Sequence, residues 1–91
     1  MAYSTRELSR LLRRLGYEED RKRGKGSHVR FYLEHDGKII RVTTVPRARD
    51  EITPGTLGAI LRQVGISQEE LQAIRARRFT EKDYLRKLGL G

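Results

Sequence analysis

The segment with the clearest chemical potential is residues 24–31, where a glycine-containing turn leads to a histidine at the start of an alternating strand. Gly24 and Gly26 permit positive φ angles and a close approach of the backbone to a ligand. His28 follows them, and histidine is the side chain whose unperturbed pKa lies closest to neutrality. A histidine among cations that hold phosphates is suited to proton transfer at a phosphodiester. The cations near this turn are Arg21, Lys22, Arg23, Lys25 and Arg30.

An alternative interpretation makes His28 a polar residue on a solvated sheet face, which is the more common role of an isolated histidine. The second histidine, His35, precedes the Asp36-Gly37 turn and is expected to be an exposed loop residue without a catalytic role. The interpretation of His28 therefore depends on the rest of the chain.

The composition favours an anionic partner. The chain has 91 residues, with 20 lysines and arginines against 12 acidic residues, a formal net charge of +8 and a pI near 10.4. A chain of this length supports one domain with a modest core, so a large enclosed active site is not expected. Nucleic acid is the leading candidate partner, ahead of a membrane surface.

Several classes of function are disfavoured. No apolar run approaches the roughly 20 residues that span a bilayer, and the first residues lack the apolar core of a signal peptide, so we expect a cytoplasmic protein. The absence of cysteine excludes disulfides and thiolate chemistry. Two histidines seven positions apart, with Glu34 and Asp36 as the nearby acidic residues, make a poor metal site. We therefore expect neither a metal nor a cofactor.

The first element is predicted to be an amphipathic helix. Ser4 and Glu7 form the pattern of a capping box. Tyr3 and Leu8 occupy the two positions of a hydrophobic staple, and Gly16 is placed to end the helix. The apolar stripe between these ends consists of Leu8, Leu11, Leu12 and Leu15.

Three antiparallel strands are predicted next. Residues 17–22 are so highly charged that an edge strand fits best. Asp36-Gly37 is a strong hairpin signal, and residues 39–45 are predicted to pair back as the third strand until Pro46 ends it. Period two divides the second strand into two faces. The buried face is predicted to carry Val29, Phe31 and Leu33, and the opposite, polar face His28, Arg30 and Tyr32.

Three helices are predicted after the strands. Thr53-Pro54 begins the second helix, whose apolar stripe runs from Leu57 to Val64. Gly58 is predicted to allow this helix to pack closely on the sheet, since glycine otherwise costs a helix about 1 kcal/mol relative to alanine. The third and fourth helices are predicted from capping boxes at Ser67 and Glu70 and, less perfectly, at Thr80 and Asp83, with ends near Arg77 and Leu88.

The predicted fold is therefore α+β in two layers, with the order α-β-β-β-α and a helical C-terminal tail. Helices are expected to cover one face of a three-stranded antiparallel sheet and to leave the other face open. The open face would let a small basic domain present a nucleic-acid surface without a deep pocket.

Three motifs occur together in this chain. They are Gly26-Ser27-His28 after a basic hairpin, Val-Thr-Thr-Val-Pro at 42–46, and Pro-Gly-Thr-Leu at 54–57 followed by residues 60–66. In this order and spacing they resemble the HicA-type toxins of bacterial and archaeal toxin-antitoxin pairs. The resemblance covers roughly residues 4–71.

The resemblance implies a double-stranded-RNA-binding-like fold and an mRNA interferase, an endoribonuclease that cleaves translated RNA. It also implies a HicB-type antitoxin that covers the histidine and holds the toxin inactive in a hetero-oligomer. By motif position His28 matches the family's catalytic histidine, and Gly26 and Ser27 match the turn that presents it. The HicA-like domain is predicted to span residues 1–71, with 72–91 as a helical extension packed on it or next to it.

The chain differs from the family pattern at several points. A second histidine often follows the strand-ending proline in the family, whereas residues 47–49 are Arg-Ala-Arg here. The position after Gly-Thr-Leu, commonly basic, is Gly58. The first strand is more charged than usual, and the tail beyond Leu71 is longer than the family minimum.

The nuclease hypothesis makes His28 a general base that accepts the proton of a ribose 2′-hydroxyl as this oxygen attacks the adjacent phosphorus. Cations must then stabilise the charge on the phosphorane, and Lys25, Arg30 and Arg23 are the nearest in sequence. Tyr32 would be available to stack a base. The predicted RNA-binding residues are Lys22, Arg23, Lys25, Ser27, Arg30 and Tyr32, with Gly24 and Gly26 in the turn that presents His28.

Two other functions are compatible with the same residues. A non-catalytic RNA-binding domain would use the same basic face, and His28 would be incidental. A toxin homologue that has lost activity would persist as an interaction module, binding its antitoxin without arresting growth.

Overall fold

The computed structural model describes residues 2–22 and 26–90, and within them the predicted α+β fold is confirmed. The described residues form a three-stranded antiparallel sheet with β2 between β1 and β3, and four helices. Arg23, Gly24 and Lys25, which the sequence places in the turn before His28, lie outside the described residues. The elements are α1 (Thr5–Arg14), β1 (Glu18–Asp20), β2 (His28–His35), β3 (Lys38–Pro46), α2 (Pro54–Val64), α3 (Gln68–Arg75) and α4 (Glu81–Lys87).

The predicted hairpin between β2 and β3 is confirmed. Asp36 and Gly37 have φ angles of 51° and 78°, so both central residues are left-handed, as a two-residue type I′ turn requires. The pairing runs from His35 opposite Lys38 to His28 opposite Pro46. His35 is the last residue of β2 and is partly buried, so the prediction of an exposed loop residue was wrong. Antiparallel pairing extends the strand up to the turn itself.

The first strand is shorter than predicted, although its edge position is confirmed. It covers Glu18–Asp20 rather than residues 17–22, and Glu18 pairs with Tyr32 and Asp20 with Arg30. Tyr17 is buried in the core immediately before the strand. The charged residues that follow leave the sheet in a turn, so three residues pair with β2.

One face of the sheet packs on the helices and contains the core. The alternation predicted for β2 is confirmed, because Val29, Phe31 and Leu33 are buried while His28 is exposed. The β3 strand adds Val45 and Thr43 to this core. The Thr43 hydroxyl donates to the side chain of Gln63 in α2. The helices contribute the predicted stripes to the same core, namely Leu8, Leu11 and Leu12 from α1 and Leu57, Ile60, Leu61 and Val64 from α2.

The predicted helix ends are mostly confirmed. Ser4 Oγ accepts a hydrogen bond from the Glu7 N–H at 3.0 Å, but the Glu7 carboxylate pairs with Arg75 of α3 at 3.0 Å instead of completing a capping box. The boxes that begin α3 and α4 are both complete, including the one predicted to be less perfect. The third helix ends at Arg75 rather than near Arg77, which has a positive φ of 62°.

Gly58 does not have the packing role predicted for it. A Cβ at this position would meet a single neighbour within 4 Å, Arg62 Nη1 at 3.6 Å, which is an ordinary contact. Close packing of α2 on the sheet therefore does not require a glycine here, and that prediction was wrong.

A buried pair of tyrosines joins the C-terminal helix to the rest of the core. Tyr84 of α4 is fully buried, and its hydroxyl donates to the Val64 carbonyl at 2.6 Å. The hydroxyls of Tyr17 and Tyr84 lie 2.7 Å apart, so Tyr17 is the donor to Tyr84. Burial raises the pKa of both phenols, which keeps them protonated and able to donate. The division into residues 1–71 and 72–91 stays a prediction, and α3 spans that boundary.

We expect Tyr84→Phe to lower the free energy of unfolding by about 1–3 kcal/mol, because it leaves the Tyr17 hydroxyl and the Val64 carbonyl unpaired in the core. Tyr17→Phe should cost less, roughly 0.5–1.5 kcal/mol, since Tyr84 keeps its bond to Val64. Urea unfolding of both variants checks this order, with exposed-face Tyr32→Phe as the control. An equal loss for the two buried variants would contradict the assigned donor direction.

Candidate active site

His28 stands at the first position of β2, at the end of the sheet where β3 finishes. Its side chain is exposed, and Pro46 lies directly opposite on β3. The hydroxyl of Ser27 lies 3.1 Å from His28 Nδ1. This contact orients the ring and leaves Nε2 facing away from the serine, so that Nε2 is the nitrogen available to a ligand.

Arg47 holds the backbone of the segment that carries His28. Its Nε donates to the Gly26 carbonyl at 2.9 Å, and its Nη2 donates to the His28 carbonyl at 3.3 Å. The Arg47 N–H also donates to the Ser27 carbonyl at 2.7 Å. Three consecutive carbonyls are therefore bound by one residue, in the segment where the family often has a second histidine. Extending the β2–β3 pairing by one residue beyond Pro46 would have placed Arg47 beside Ser27.

A second set of hydrogen bonds ties this end of the sheet to the start of α1. Thr5 Oγ1 donates to the Pro46 carbonyl at 2.6 Å and accepts from the Arg49 N–H at 2.8 Å. The Thr5 N–H donates to the Arg49 carbonyl at 2.9 Å, and the Ile52 N–H donates to the Tyr3 carbonyl at 2.8 Å. These bonds hold the chain that follows β3 against the start of α1. The end of β3 that lies opposite His28 is therefore fixed to a helix.

The open face of the sheet is less basic than the sequence analysis expected. Arg30 forms an ion pair and hydrogen bond with Asp20, its partner across β1 and β2. The pKa of Tyr32 is raised, chiefly by the Glu18 carboxylate opposite it, and also by desolvation, Glu34 and Asp20. Carboxylates raise a phenol's pKa because they disfavour a second negative charge nearby. Negative charge therefore accumulates along this strand with distance from His28.

The predicted site residues that the structure describes fall into three groups. Ser27 and His28 lie together with Gly26, which has a positive φ of 57° and where an added Cβ would meet nothing within 4 Å. Lys22 is exposed in the turn after β1, where its N–H donates to Asp20 Oδ1 at 3.1 Å. Arg30 and Tyr32 follow His28 along the open face, and the predicted contacts at Arg23, Gly24 and Lys25 lie outside the described residues.

No helix in the described part of the chain is long and apolar enough to cross a membrane. Within the same residues, no group of three histidine, aspartate or glutamate side chains is arranged to hold a metal ion.

These observations define a small, strongly basic α+β domain whose candidate site is an exposed histidine at a strand end. The Ser27 hydroxyl contacts its ring, and Arg47, which we call the clamp, binds the backbone around it. A family model described as the HicA toxin of bacterial toxin-antitoxin systems matches residues 5–66. The chain belongs to this HicA toxin family, which confirms the resemblance drawn from its motifs. It is accordingly a toxin of a toxin-antitoxin system, and membership implies an antitoxin partner. Comparisons with curated proteins and with solved structures returned no match.

We expect Arg47→Ala to loosen the segment that carries His28. Loss of the two side-chain hydrogen bonds should lower the backbone order parameters of Ser27 and His28 from about 0.85 toward 0.6 or below. Relaxation measurements by NMR check this, with Arg49→Ala as the control, because Arg49 is held through its backbone. Unchanged order at Ser27 and His28 in the Arg47 variant would show that the clamp does not hold the segment.

Proposed function

We propose that this toxin is a metal-independent endoribonuclease, an mRNA interferase of a HicA/HicB-type pair, with His28 as its general base. The observation that carries the proposal is the position of His28, exposed at the end of β2 with Nδ1 against Ser27 Oγ. The family to which the chain belongs consists of RNA-cleaving toxins, and this supports the reaction class. The RNA substrate, the HicB type of the antitoxin and a cytoplasmic location are part of the same proposal.

The proposed chemistry begins with proton transfer from a ribose 2′-hydroxyl to His28 Nε2. For Nε2 to accept, the neutral imidazole must carry its hydrogen on Nδ1, and Nδ1–H then donates to Ser27 Oγ. Ser27 thus selects the reactive tautomer and the ring orientation as a positioning residue. The 2′-oxygen attacks the adjacent phosphorus, giving a cyclic phosphate and releasing the 5′-oxygen of the next nucleotide. A single positioned base of this kind contributes about 10²- to 10⁴-fold.

Cations at the same end of the sheet would bind the phosphates. Arg47 uses two of its N–H groups on the Gly26 and His28 carbonyls, which leaves further donors on a guanidinium that is fixed beside the histidine. Lys22 is exposed, and the predicted contacts Arg23 and Lys25 lie close to it in the sequence. Arg30 stays a predicted phosphate contact, but it would have to share its charge with Asp20.

The second candidate function is RNA binding without cleavage. It is favoured by one observation, namely that the Ser27 hydroxyl is the only polar side-chain partner of the His28 ring within the described residues. Cleavage needs an acid for the leaving oxygen as well as a base, and the second histidine, His35, lies at the opposite end of β2. In the nuclease reading, water or the RNA itself protonates the leaving group, which makes a slow enzyme.

The first test compares His28→Ala with His35→Ala, a matched pair at the two ends of β2. We expect wild type and the His35 variant to arrest growth with loss of mRNA, and the His28 variant to lose cleavage by about 10²-fold or more. Purified protein and a labelled transcript give the rate, and growth after induction gives the effect in cells. Equal cleavage by both variants would remove the general-base role. RNA binding without cleavage in every form would favour the second candidate function.

We expect Ser27→Ala to slow cleavage less than His28→Ala, by roughly tenfold, because the ring keeps its place but loses control of its tautomer. If the two residues act as one unit, the double variant should be no slower than His28→Ala alone. Single-turnover rates of the three variants check this. Additive losses would instead make Ser27 an independent contact to the RNA.

A further inference from the structure

The open face of the sheet changes character along β2. Near its His28 end is the exposed turn with Arg21 and Lys22. At its other end, strand pairing sets side chains from all three strands side by side on the same face. We call this end the hairpin half, and it consists of Glu18, Tyr32, Glu34, Ile39 and Val42.

The charge of the hairpin half is opposite to that of the protein as a whole. The chain has a net charge of +8, yet this surface presents two exposed carboxylates, Glu18 and Glu34. Lys38 is the neighbouring cation on β3, and it pairs with His35. By the alternation of side chains along β2, this pair belongs to the helix side of the sheet and not to the hairpin half. An RNA phosphate would be repelled where Glu18 and Glu34 flank Tyr32, and the raised pKa of Tyr32 agrees with a negative local potential.

The same surface also exposes two aliphatic side chains from β3. Ile39 is 53% exposed and Val42 is 37% exposed, and they lie opposite Glu34 and Tyr32 respectively. A shallow groove runs along this face, and its lining extends from Arg21, Lys22 and Arg30 to Tyr32, Glu34 and Ile39, so the hairpin half forms one end of it. Clustered exposed apolar side chains with a polar rim are characteristic of protein-binding surfaces.

We propose that the hairpin half is the docking surface for the antitoxin, and that it takes a segment carrying arginine or lysine among apolar side chains. The carboxylates fit the cationic heads, while Ile39, Val42 and Tyr32 fit the apolar parts. This assigns Tyr32 to the protein partner rather than to RNA. The inference rests on the proposed function for its regulatory meaning, although docking itself is measured separately from cleavage.

The position of the surface explains how docking would inhibit. Tyr32 lies four residues from His28 on the same face of β2, a distance of roughly 13 Å at about 3.3 Å per residue. A partner segment seated on the hairpin half therefore reaches the histidine with about four further extended residues. Affinity comes from the acidic and apolar end, and occlusion of RNA comes from the basic end.

The experiment measures binding of the purified product of the reading frame adjacent to this gene, by calorimetry against the full-length toxin. The variants are Glu34→Lys and Ile39→Thr, and the matched control is Glu69→Lys, an exposed glutamate on α3 with the same change of charge. His28→Ala is present in every protein so that toxicity does not limit expression. Circular dichroism and urea midpoints confirm that each variant is folded.

We expect both variants to weaken binding by about tenfold or more, because a like charge or a lost apolar contact faces the partner, while Glu69→Lys changes it by less than about threefold. Binding of a single-stranded RNA should be unchanged or tighter in Glu34→Lys. Antitoxin binding that is unchanged in both variants would overturn the proposal, and so would weaker RNA binding in Glu34→Lys or self-association of the wild type through Ile39. These outcomes leave the cleavage test of His28 unaffected, so failure of the docking surface is distinguishable from failure of the nuclease.

Discussion

Burial of a single face of the sheet is the constraint on which the rest of this structure depends. Val29, Phe31 and Leu33 must face the helices because they are the apolar residues of β2, and period two then forces His28, Arg30 and Tyr32 outward. A slip of one residue would bury the histidine and expose the phenylalanine. The chemistry of the open face is thus a consequence of the packing on the other side.

The candidate site uses the end of the sheet, where backbone groups are no longer paired within the strands. Arg47 and Thr5 bind carbonyls in this region, and the Arg47 and Arg49 N–H groups are bound in turn. These hydrogen bonds satisfy backbone groups that have no partner within the sheet, and they fix the segment that carries His28 while its side chain stays exposed. A domain with a modest core can therefore position one exposed side chain without a cavity.

Charge is distributed unevenly in a way that total composition does not reveal. The surplus of cations lies in the turn after β1, in the segment after β3 and on the helices, whereas Glu18, Asp20 and Glu34 lie together on the open face. The positive charge of Arg30 is offset by its ion pair with Asp20. A net charge of +8 is thus compatible with the two surfaces proposed above, one for RNA and one for a cationic protein segment.

Much of the fold could be read from local patterns. Capping residues, the Asp36-Gly37 turn, and the apolar periods of 3.6 and 2 depend on neighbours within a few residues, so the helix starts, the hairpin and the buried face of β2 were predicted correctly. The errors arose where a distant partner decides the outcome. The Glu7 carboxylate forms an ion pair with Arg75 instead of a hydrogen bond at the Ser4 cap. A Cβ at Gly58 would contact no atom of the sheet within 4 Å.

The sequence by itself determined the α+β class, the edge position of the first strand, the family, and His28 as the residue to test, because each depends on residue type and spacing. The tertiary structure decided which side chains meet across the sheet. It placed Arg47 on the carbonyls around His28 and Asp20 on Arg30, and it gathered Glu18, Glu34 and Ile39 from three strands. These juxtapositions depend on pairing register and on the bulge at Leu33 and Glu34, which follow from packing of the whole sheet rather than from any local stretch.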